Sequence, residues 1–201
     1  MRIIVLDTET LGLTDQRVYD LGYLIFDTET GEILVMRDYI IKQVYGNKDL
    51  MKSAYYSNKL PIYEERLSVG YCKQVYWGVA CRILEKDIVR YNVEKIFAYN
   101  SRFDYRSILK TCLAYLAKVN PTENGIDDIM KYISPITETE EYKEFCRVNG
   151  FMTKHRTPRP QKKAETLYRY LTKNVGYEEE HTALEDSKIE LHILTTALAS
   201  M

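Results

Sequence analysis

With 201 residues and a formal net charge of −1, the chain is long enough to bury the core of one domain, and it lacks the overall positive charge that marks many nucleic-acid-binding proteins; only a local basic groove could serve such a ligand. Its four cysteines lie far apart and form no C-x-x-C pair, which favours reduced thiols in a cytoplasmic protein over disulfides or a zinc site. The chain enters a strand without a signal-like segment, and no apolar run approaches the roughly 20 residues that span a bilayer, so we expect no membrane contact.

The first part of the chain predicts a small sheet followed by helices. Residues 2–7 contain a β-branched apolar run that is typical of a strand buried on both faces. Residues 19–27 and 33–41 predict a β-hairpin with Gly31 in its turn. We expect short helical pieces over 47–70. An amphipathic helix is expected over 71–90, with an apolar stripe of Val75, Val79, Ile83 and Val89.

The rest of the chain alternates between helix, strand and loop. A buried strand is expected over 95–99, and a loop at Pro121 and Gly125. Helices are expected over 102–118, 126–133, part of 137–150 with Thr137 as a cap, 164–173 and 182–199, with a basic, proline-broken loop over 153–165. A meander of strands followed by alternating helices and strands predicts an α/β fold, a mixed β-sheet flanked by helices, in a single domain over residues 1–201.

The end of the first strand carries two acidic residues in an unusual place. Asp7 and Glu9 follow the buried run directly, and residues two apart on a strand point to the same side. Like charges held close together resist joint ionisation unless a cation lies between them. The alternative is that both residues merely flank a turn, with Glu9 in water.

Two predicted helices also place an acid on their apolar face. Asp104 is spaced to share a face with Ile108 and Cys112, and Asp186 with Ile189 and Ile193. Taken singly, Asp104 could cap a helix, and Asp186 could pair with Lys188. A carboxylate on the core side of a helix is costly unless it is paired, and bound divalent cations would serve all four acids at once.

Three motifs resemble those of the DEDD superfamily of 3′→5′ exonucleases. "DTETLG" resembles its first motif, D-x-E; "NSRFD" resembles the second, with phenylalanine before the acid; "HTALED" resembles the third, H-x-A-x-x-D. Because a histidine lies five residues before the last acid, the chain resembles the DEDDh branch of this superfamily. That branch includes the proofreading epsilon subunit of bacterial DNA polymerase III and ribonuclease T. The motifs occur in the family's order along the whole chain, and the resemblance implies a ribonuclease H-like fold.

The resemblance implies a two-metal phosphodiester hydrolase. Asp7, Glu9, Asp104 and Asp186 would hold two Mg²⁺ or Mn²⁺ ions, and His181 would accept the proton of the attacking water. The products would be nucleoside 5′-monophosphates released from a 3′ end. By itself, His181 could equally be an exposed residue next to Glu178, Glu179 and Glu180.

The resemblance also assigns substrate contacts. The scissile nucleotide would lie on the loop of Thr8, Thr10, Leu11, Gly12 and Leu13, with Tyr99, Asn100 and Phe103 nearby. Phe103 could stack on a base or simply belong to the core. Lys162 and Lys163 could contact phosphates or belong to a solvated loop.

Two features depart from the family pattern. Leu11 stands where relatives often have threonine, which leaves the base contact there open. Residues 134–160 look like an insertion, which could shape the substrate entrance or bind a partner. We expect a stand-alone enzyme acting on single-stranded 3′ ends, DNA more than RNA, with no tail for a polymerase or clamp. The alternatives are an RNA-trimming exoribonuclease of the same branch and a catalytically silent nucleic-acid-binding scaffold.

Overall fold

The computed structural model describes residues 1–55 and 57–200. These residues form six strands: β1 (Arg2–Thr10), β2 (Val18–Asp27), β3 (Glu32–Ile41), β4 (Lys73–Val75), β5 (Lys95–Ala98) and β6 (Asp127–Asp128). The α-helices are α1 (Lys42–Tyr45), α2 (Lys48–Lys52), α3 (Leu60–Ser68), α4 (Trp77–Arg90), α5 (Arg102–Ala114), α6 (Ser134–Thr137), α7 (Glu140–Val148), α8 (Ala164–Thr172) and α9 (Ala183–Ala199). Short 3₁₀ turns occupy Ser57–Lys59 and Ile129–Lys131.

The strands form one mixed sheet in the order β4-β3-β2-β1-β5-β6. The meander of β1, β2 and β3 is antiparallel, whereas β4, β5 and β6 each pair in parallel with a neighbour. This is the α/β architecture that the order of apolar segments predicts. Among the helices of the described residues, none combines the length and apolar character needed to cross a membrane.

Each face of the sheet packs against its own set of helices, because alternate residues of a strand point to opposite sides. Ile4 and Leu6 pack with Trp77, Leu84 and Ile108 of α4 and α5. Ile3 and Val5 pack on the other face, in the cluster that contains Leu167 of α8 and Ile189 and Ile193 of α9, as well as Tyr142 of α7. All four cysteines are buried free thiols.

Several predicted boundaries are wrong. The helix expected over 71–90 begins at Trp77, since Lys73–Val75 pairs with β3 as an edge strand. Its buried face contains Ala80, Cys81 and Leu84, whereas Val89 is 76% exposed. Trp77 is fully buried, and the side of the helix that it shares with these residues faces the core in place of the predicted stripe.

Three more predictions fail farther along. The segment 126–133 forms β6 and a 3₁₀ turn, because pairing with β5 overrides its helical pattern. The helix that begins at Arg102 ends at Ala114. The cap of α7 is Thr139, whose side chain accepts the Tyr142 N–H, so the prediction of Thr137 was wrong.

Candidate active site

The two carboxyl groups of β1 lie where this strand runs beyond its parallel neighbour. β5 pairs with β1 only as far as Val5, whereas β1 continues along β2 to Thr10. Asp7 and Glu9 follow on the face of Ile3 and Val5, which α9 covers. They therefore lie at the carboxyl end of parallel strands, where a crevice opens as the chain leaves β5 for α5.

Asp104 is held against β1 by a single residue. It lies in the first turn of α5 and is 2% exposed. Its Oδ1 accepts the Thr8 backbone N–H at 3.1 Å and the Thr8 hydroxyl at 2.8 Å. Thr8 lies between Asp7 and Glu9, so these two bonds fix the Asp104 carboxyl beside theirs.

The start of α9 brings in the last two predicted residues. One ligand atom each from Glu9, His181 and Asp186 lies within 4.8 Å of the others. His181 Nδ1 lies 4.0 Å from Asp186 Oδ2 and 3.7 Å from Glu179 Oε2. The His181 backbone adopts a left-handed φ of 56°, which is costly for a residue with a Cβ and needs support from its surroundings.

That support comes from a buried polar cluster behind the turn. Tyr63 Oη donates to Asp20 Oδ2 and to the His181 carbonyl, and the Ala183 N–H donates to the same Asp20 oxygen. Gly22 allows α9 to approach β2, because a Cβ there would lie 2.0 Å from the Leu184 nitrogen. The turn that presents His181 is thus fixed from both sides.

The acids of the crevice repel one another. Burial is the largest cause that raises the pKa values of Asp7, Glu9 and Asp186 well above those of ordinary carboxyls, and their neighbouring carboxylates raise them further. Burial also raises the pKa of Asp104 to about 7, against the lowering effect of the bonds from Thr8. The pKa of His181 is lowered, mainly by burial and then by Lys59.

Two further acids, Glu190 and Glu179, lie in this region, although neither belongs to the three motifs. Glu190 is 4% exposed on α9, accepts the Tyr99 N–H at 3.1 Å, and has a pKa raised by burial and by Asp104 and Asp186. Its spacing of four residues from Asp186, which places both acids on one side of α9, was the available signal. The Glu179 side chain is 16% exposed, and burial raises its pKa to about 7.

The donor set fits hard divalent cations. Carboxylate oxygens are the preferred ligands of Mg²⁺ and suit Mn²⁺, and a cation would relieve the mutual repulsion of Asp7, Glu9, Asp104 and Asp186. Asp186 Oδ1 is buried without a hydrogen-bond donor among the described residues. A buried carboxylate oxygen of this kind is a ready ligand.

A cleft of about 750 Å³ opens in front of the acids. Most of the predicted substrate-contact residues line it: Thr8, Thr10, Gly12, Leu13, Tyr99, Asn100, Phe103 and Lys163. The Thr8 hydroxyl, however, is committed to Asp104. Leu11 is 5% exposed in the core below this cleft, and Lys162 points away from it to Glu138 at 2.7 Å. Tyr55, which the sequence analysis did not single out, joins exposed Leu13 at the rim.

Comparison with known proteins supports the fold rather than a closer relationship. No family model and no curated protein matches the sequence. Among solved structures, the chain is similar to the nuclease domain of 3′hExo, a DEDDh family member crystallised with rAMP. The TM-score is 0.53 with 13% sequence identity, over 98% of this chain and 92% of that chain. The ribonuclease H-like fold implied by the three motifs is therefore confirmed.

Proposed function

We propose that the protein is a metal-dependent 3′→5′ exonuclease that releases nucleoside 5′-monophosphates from single-stranded nucleic acid. One observation carries the proposal: Asp7, Glu9, Asp104, His181 and Asp186 converge on one crevice from three separate parts of the chain. The fold does not require these side chains, since four like charges crowded together, with Glu9 and Asp104 buried, oppose folding. Such clusters of perturbed carboxyls are typical of functional sites.

The four acids are the proposed ligands of two divalent cations, Mg²⁺ or Mn²⁺. When bound, such ions activate a water nucleophile and stabilise charge on the departing 3′ oxygen. The chain itself contributes orientation. Thr8 fixes Asp104, while Tyr63 and Asp20 hold the turn before Asp186, so the ligand oxygens are arranged before substrate arrives.

His181 is the proposed proton acceptor. Its lowered pKa keeps the imidazole neutral near pH 7, as a general base requires. Nδ1 faces Glu179 and Asp186, which favours a proton on that nitrogen and leaves the Nε2 lone pair to take the proton of water. The side chain is 27% exposed, so the proton can pass on to solvent.

The rim of the cleft suits the terminal nucleotide. Leu13, Tyr55 and Phe103 present apolar or aromatic surface on which a base of any identity can stack. Lys163 contributes a positively charged side chain to the cleft lining, where it could contact a phosphate. We retain DNA as the expected polymer over RNA, and the neighbour's rAMP makes RNA the alternative to test beside it.

The decisive experiment determines from which end the strand is shortened and which mononucleotide is released. Single-stranded DNA and RNA, labelled at the 5′ end, are incubated with the protein in Mg²⁺, Mn²⁺ or a chelator. We expect a ladder that shortens from the 3′ end, with mononucleotides identified as 5′-monophosphates by mass, and no products in the chelator.

Other outcomes would exclude the proposal. Activity that persists in the chelator would remove the metal ions from the mechanism, and release from the 5′ end would reverse the polarity. Tight binding of both polymers without hydrolysis in either metal would identify the nucleic-acid-binding scaffold instead.

A further inference from the structure

A second cleft lies beside the first, in the segment that the sequence marks as an insertion. This hairpin cleft has a volume of about 970 Å³ and is lined by Thr137, Glu138, Lys143, Thr153, His155, Arg156, Thr157, Arg159, Pro160 and Lys162. Lys or Arg occupies four of these positions, and one is an acid. The lining thus carries a local positive charge that the net charge of the whole chain conceals.

The wall formed by residues 151–161 is a tethered hairpin. Met152 and Pro160 form an antiparallel bridge, and the Thr153 N–H donates to the Arg159 carbonyl at 2.8 Å. The Tyr142 hydroxyl of α7 donates to the Gln161 carbonyl at 2.6 Å. The predicted loop therefore has a defined shape that holds its basic side chains over the cleft.

The two arginines of the wall are not neutralised by the protein. Lys143 and Lys162 pair with Glu140 and Glu138, each within 2.8 Å. Within residues 1–55 and 57–200, by contrast, no carboxylate lies within ion-pair distance of Arg156 or Arg159. Planar guanidinium groups exposed beside a cleft can bind phosphate oxygens through two parallel hydrogen bonds, and phosphate is the anionic group of a nucleic acid.

A buried hydroxyl of α6, which also lines the cleft, lacks a partner among the described residues. Thr137 is 2% exposed and lines the cleft, and its Oγ1 has no hydrogen-bond partner among the described residues. Buried hydroxyls nearly always find one, so this group indicates a polar ligand that completes the site. Among the described residues that line the cleft, none is Phe, Tyr or Trp, which favours contact with a backbone over stacking with bases.

The hairpin cleft and the carboxylate cleft meet at one short segment. Lys162 lines the first and Lys163, the next residue, lines the second. Tyr99, in the wall of the carboxylate cleft, donates its hydroxyl to the Lys162 carbonyl at 2.5 Å. A strand whose 3′ end enters the carboxylate cleft can therefore cross this segment into the hairpin cleft.

We infer that the hairpin cleft binds the phosphate backbone of the same single strand, on the 5′ side of the nucleotide being removed, through Arg156, Arg159 and Thr137. This inference rests on the proposed function for the identity of the strand. The cleft supplies affinity for long strands and leaves the chemistry to the carboxylate cleft.

The first test measures binding without hydrolysis. Fluorescence anisotropy follows a labelled oligothymidylate of about twenty nucleotides in chelator, for wild type and for the Arg156→Gln/Arg159→Gln protein. We expect binding to weaken about tenfold or more, because two charge-assisted contacts are lost. The slope of log Kd against log salt should fall by about 1.4, since each phosphate contact on a single strand contributes about 0.7.

Two control proteins make the loss specific. Arg82→Gln/Lys86→Gln removes two exposed charges from α4, on the other face of the sheet, and should bind as wild type does. Arg156→Lys/Arg159→Lys keeps the charge and should recover most of the affinity. Equal weakening in the α4 protein would reduce the effect to overall charge and overturn the assignment.

The second test uses strand length. With Mn²⁺, the Arg156→Gln/Arg159→Gln protein should show a KM raised about tenfold for the long strand, in line with its weaker binding, and an unchanged kcat/KM for a dinucleotide, which is too short to reach the hairpin cleft. Unchanged binding and KM for the long strand would overturn the inference and leave the exonuclease intact. Weakened binding in a protein that hydrolyses nothing would overturn the exonuclease and leave the cleft as a nucleic-acid site.

Discussion

Two groups of buried acids lie beside the first turn of α9, and the protein treats them differently. Asp20 and Asp38 face Arg66, whose guanidinium donates to Asp38 at 2.8 Å and to Thr182, while Tyr63 and the Ala183 N–H donate to Asp20. Asp7, Glu9 and Asp186, a few residues away, face mainly other carboxyls. The first group is compensated by donors of the chain itself, whereas the second group has no such compensation and, on the proposed function, would receive it from bound divalent cations.

On the proposed function, this difference separates acids that serve the fold from acids that serve catalysis. A buried charge with its partners in place is part of the fold, and removing one partner leaves the other uncompensated. A buried charge without partners lowers stability and persists because something else needs it. The same substitution should therefore have opposite effects on stability in the two groups, and the predictions below test that contrast.

The largest effect is expected at the uncompensated acids. Asp7→Asn or Asp186→Asn should lose nearly all hydrolysis, while the metal-free protein melts no lower than wild type, because a repelling charge has gone. Turnover in Mn²⁺ and thermal melting in chelator provide the two readouts. Glu94→Gln, at the far end of β5, is the matched control and should change neither. A clear drop in metal-free melting temperature would reassign the residue to the compensated class.

His181→Ala should lower turnover by about 10²–10⁴-fold, the usual contribution of a positioned proton acceptor. The wild-type rate should rise with pH through an ionisation below the ordinary histidine value of about 6.5, because burial lowers this pKa. The alanine protein should lose that limb and still show a Mn²⁺-induced rise in melting temperature. Loss of the rise would make His181 a metal ligand instead of a base.

Arg66→Met tests the compensated group. Above the Asp38 pKa of about 8, where this carboxyl is ionised, the substitution should cost about 3–5 kcal/mol of unfolding free energy, as expected when one member of a buried ion pair is removed. Arg2→Met, which breaks the more exposed pair with Asp27, should cost under about 1 kcal/mol. Denaturant titration gives both values. Adding Asp38→Asn to Arg66→Met should recover part of the loss, and strict additivity would deny the coupling.

Mn²⁺ should raise the melting temperature of wild type, because an ion that binds only the folded state stabilises it. At 100 times the dissociation constant the gain is about 2.7 kcal/mol. Asp186→Asn should lose most of the shift and Asp38→Asn should keep it. An equal shift in both proteins would place the ion elsewhere.

The smallest effect concerns the protonation of Asp38 in the compensated group. The Asp20 and Asp38 carboxyls each leave Oδ1 without a hydrogen-bond donor among the described residues. Burial and Asp20 raise the pKa of Asp38 to about 8 despite Arg66. Between the ordinary aspartate pKa of about 3.9 and this value, the folded protein holds a proton that the unfolded chain has released, so unfolding free energy falls as pH rises.

Asp38→Asn keeps the hydrogen bonds of the protonated form and cannot titrate. Its unfolding free energy should therefore fall less steeply than that of wild type between pH 5 and pH 7.5, by up to about 1.4 kcal/mol per pH unit. Denaturant titrations across this range give the difference curve, in which the contributions of the active-site acids cancel. Parallel curves would show that Asp38 is ionised throughout.

Features that depend on neighbours along the chain could be predicted from the sequence, whereas features that depend on distant partners could not. The buried strands and the acids on apolar helix faces were readable, because periodicity records which side of an element meets the core: Asp104, Ile108 and Cys112 are all buried together on α5. The helix predicted over 126–133 was wrong, since its two strand residues are set by pairing with β5, a neighbour about thirty residues away. Local pattern contains no record of that partner.

From the sequence alone, the three motifs implied the ribonuclease H-like fold and indicated the five residues of the proposed site, and the cost of a carboxylate on a core-facing position set the acids apart from their neighbours. Only the tertiary structure decided which acids are compensated. Glu190 and Asp20 are both buried acids. Glu190 faces Asp104 and Asp186, with the Tyr99 N–H as its donor, whereas Asp20 accepts from Tyr63 and the Ala183 N–H and has the charge of Arg66 nearby. The hairpin cleft was likewise decided only by the tertiary structure. Its charge depends on which Lys and Arg side chains lie within ion-pair distance of a carboxylate, and these distances are defined only once the chain has folded.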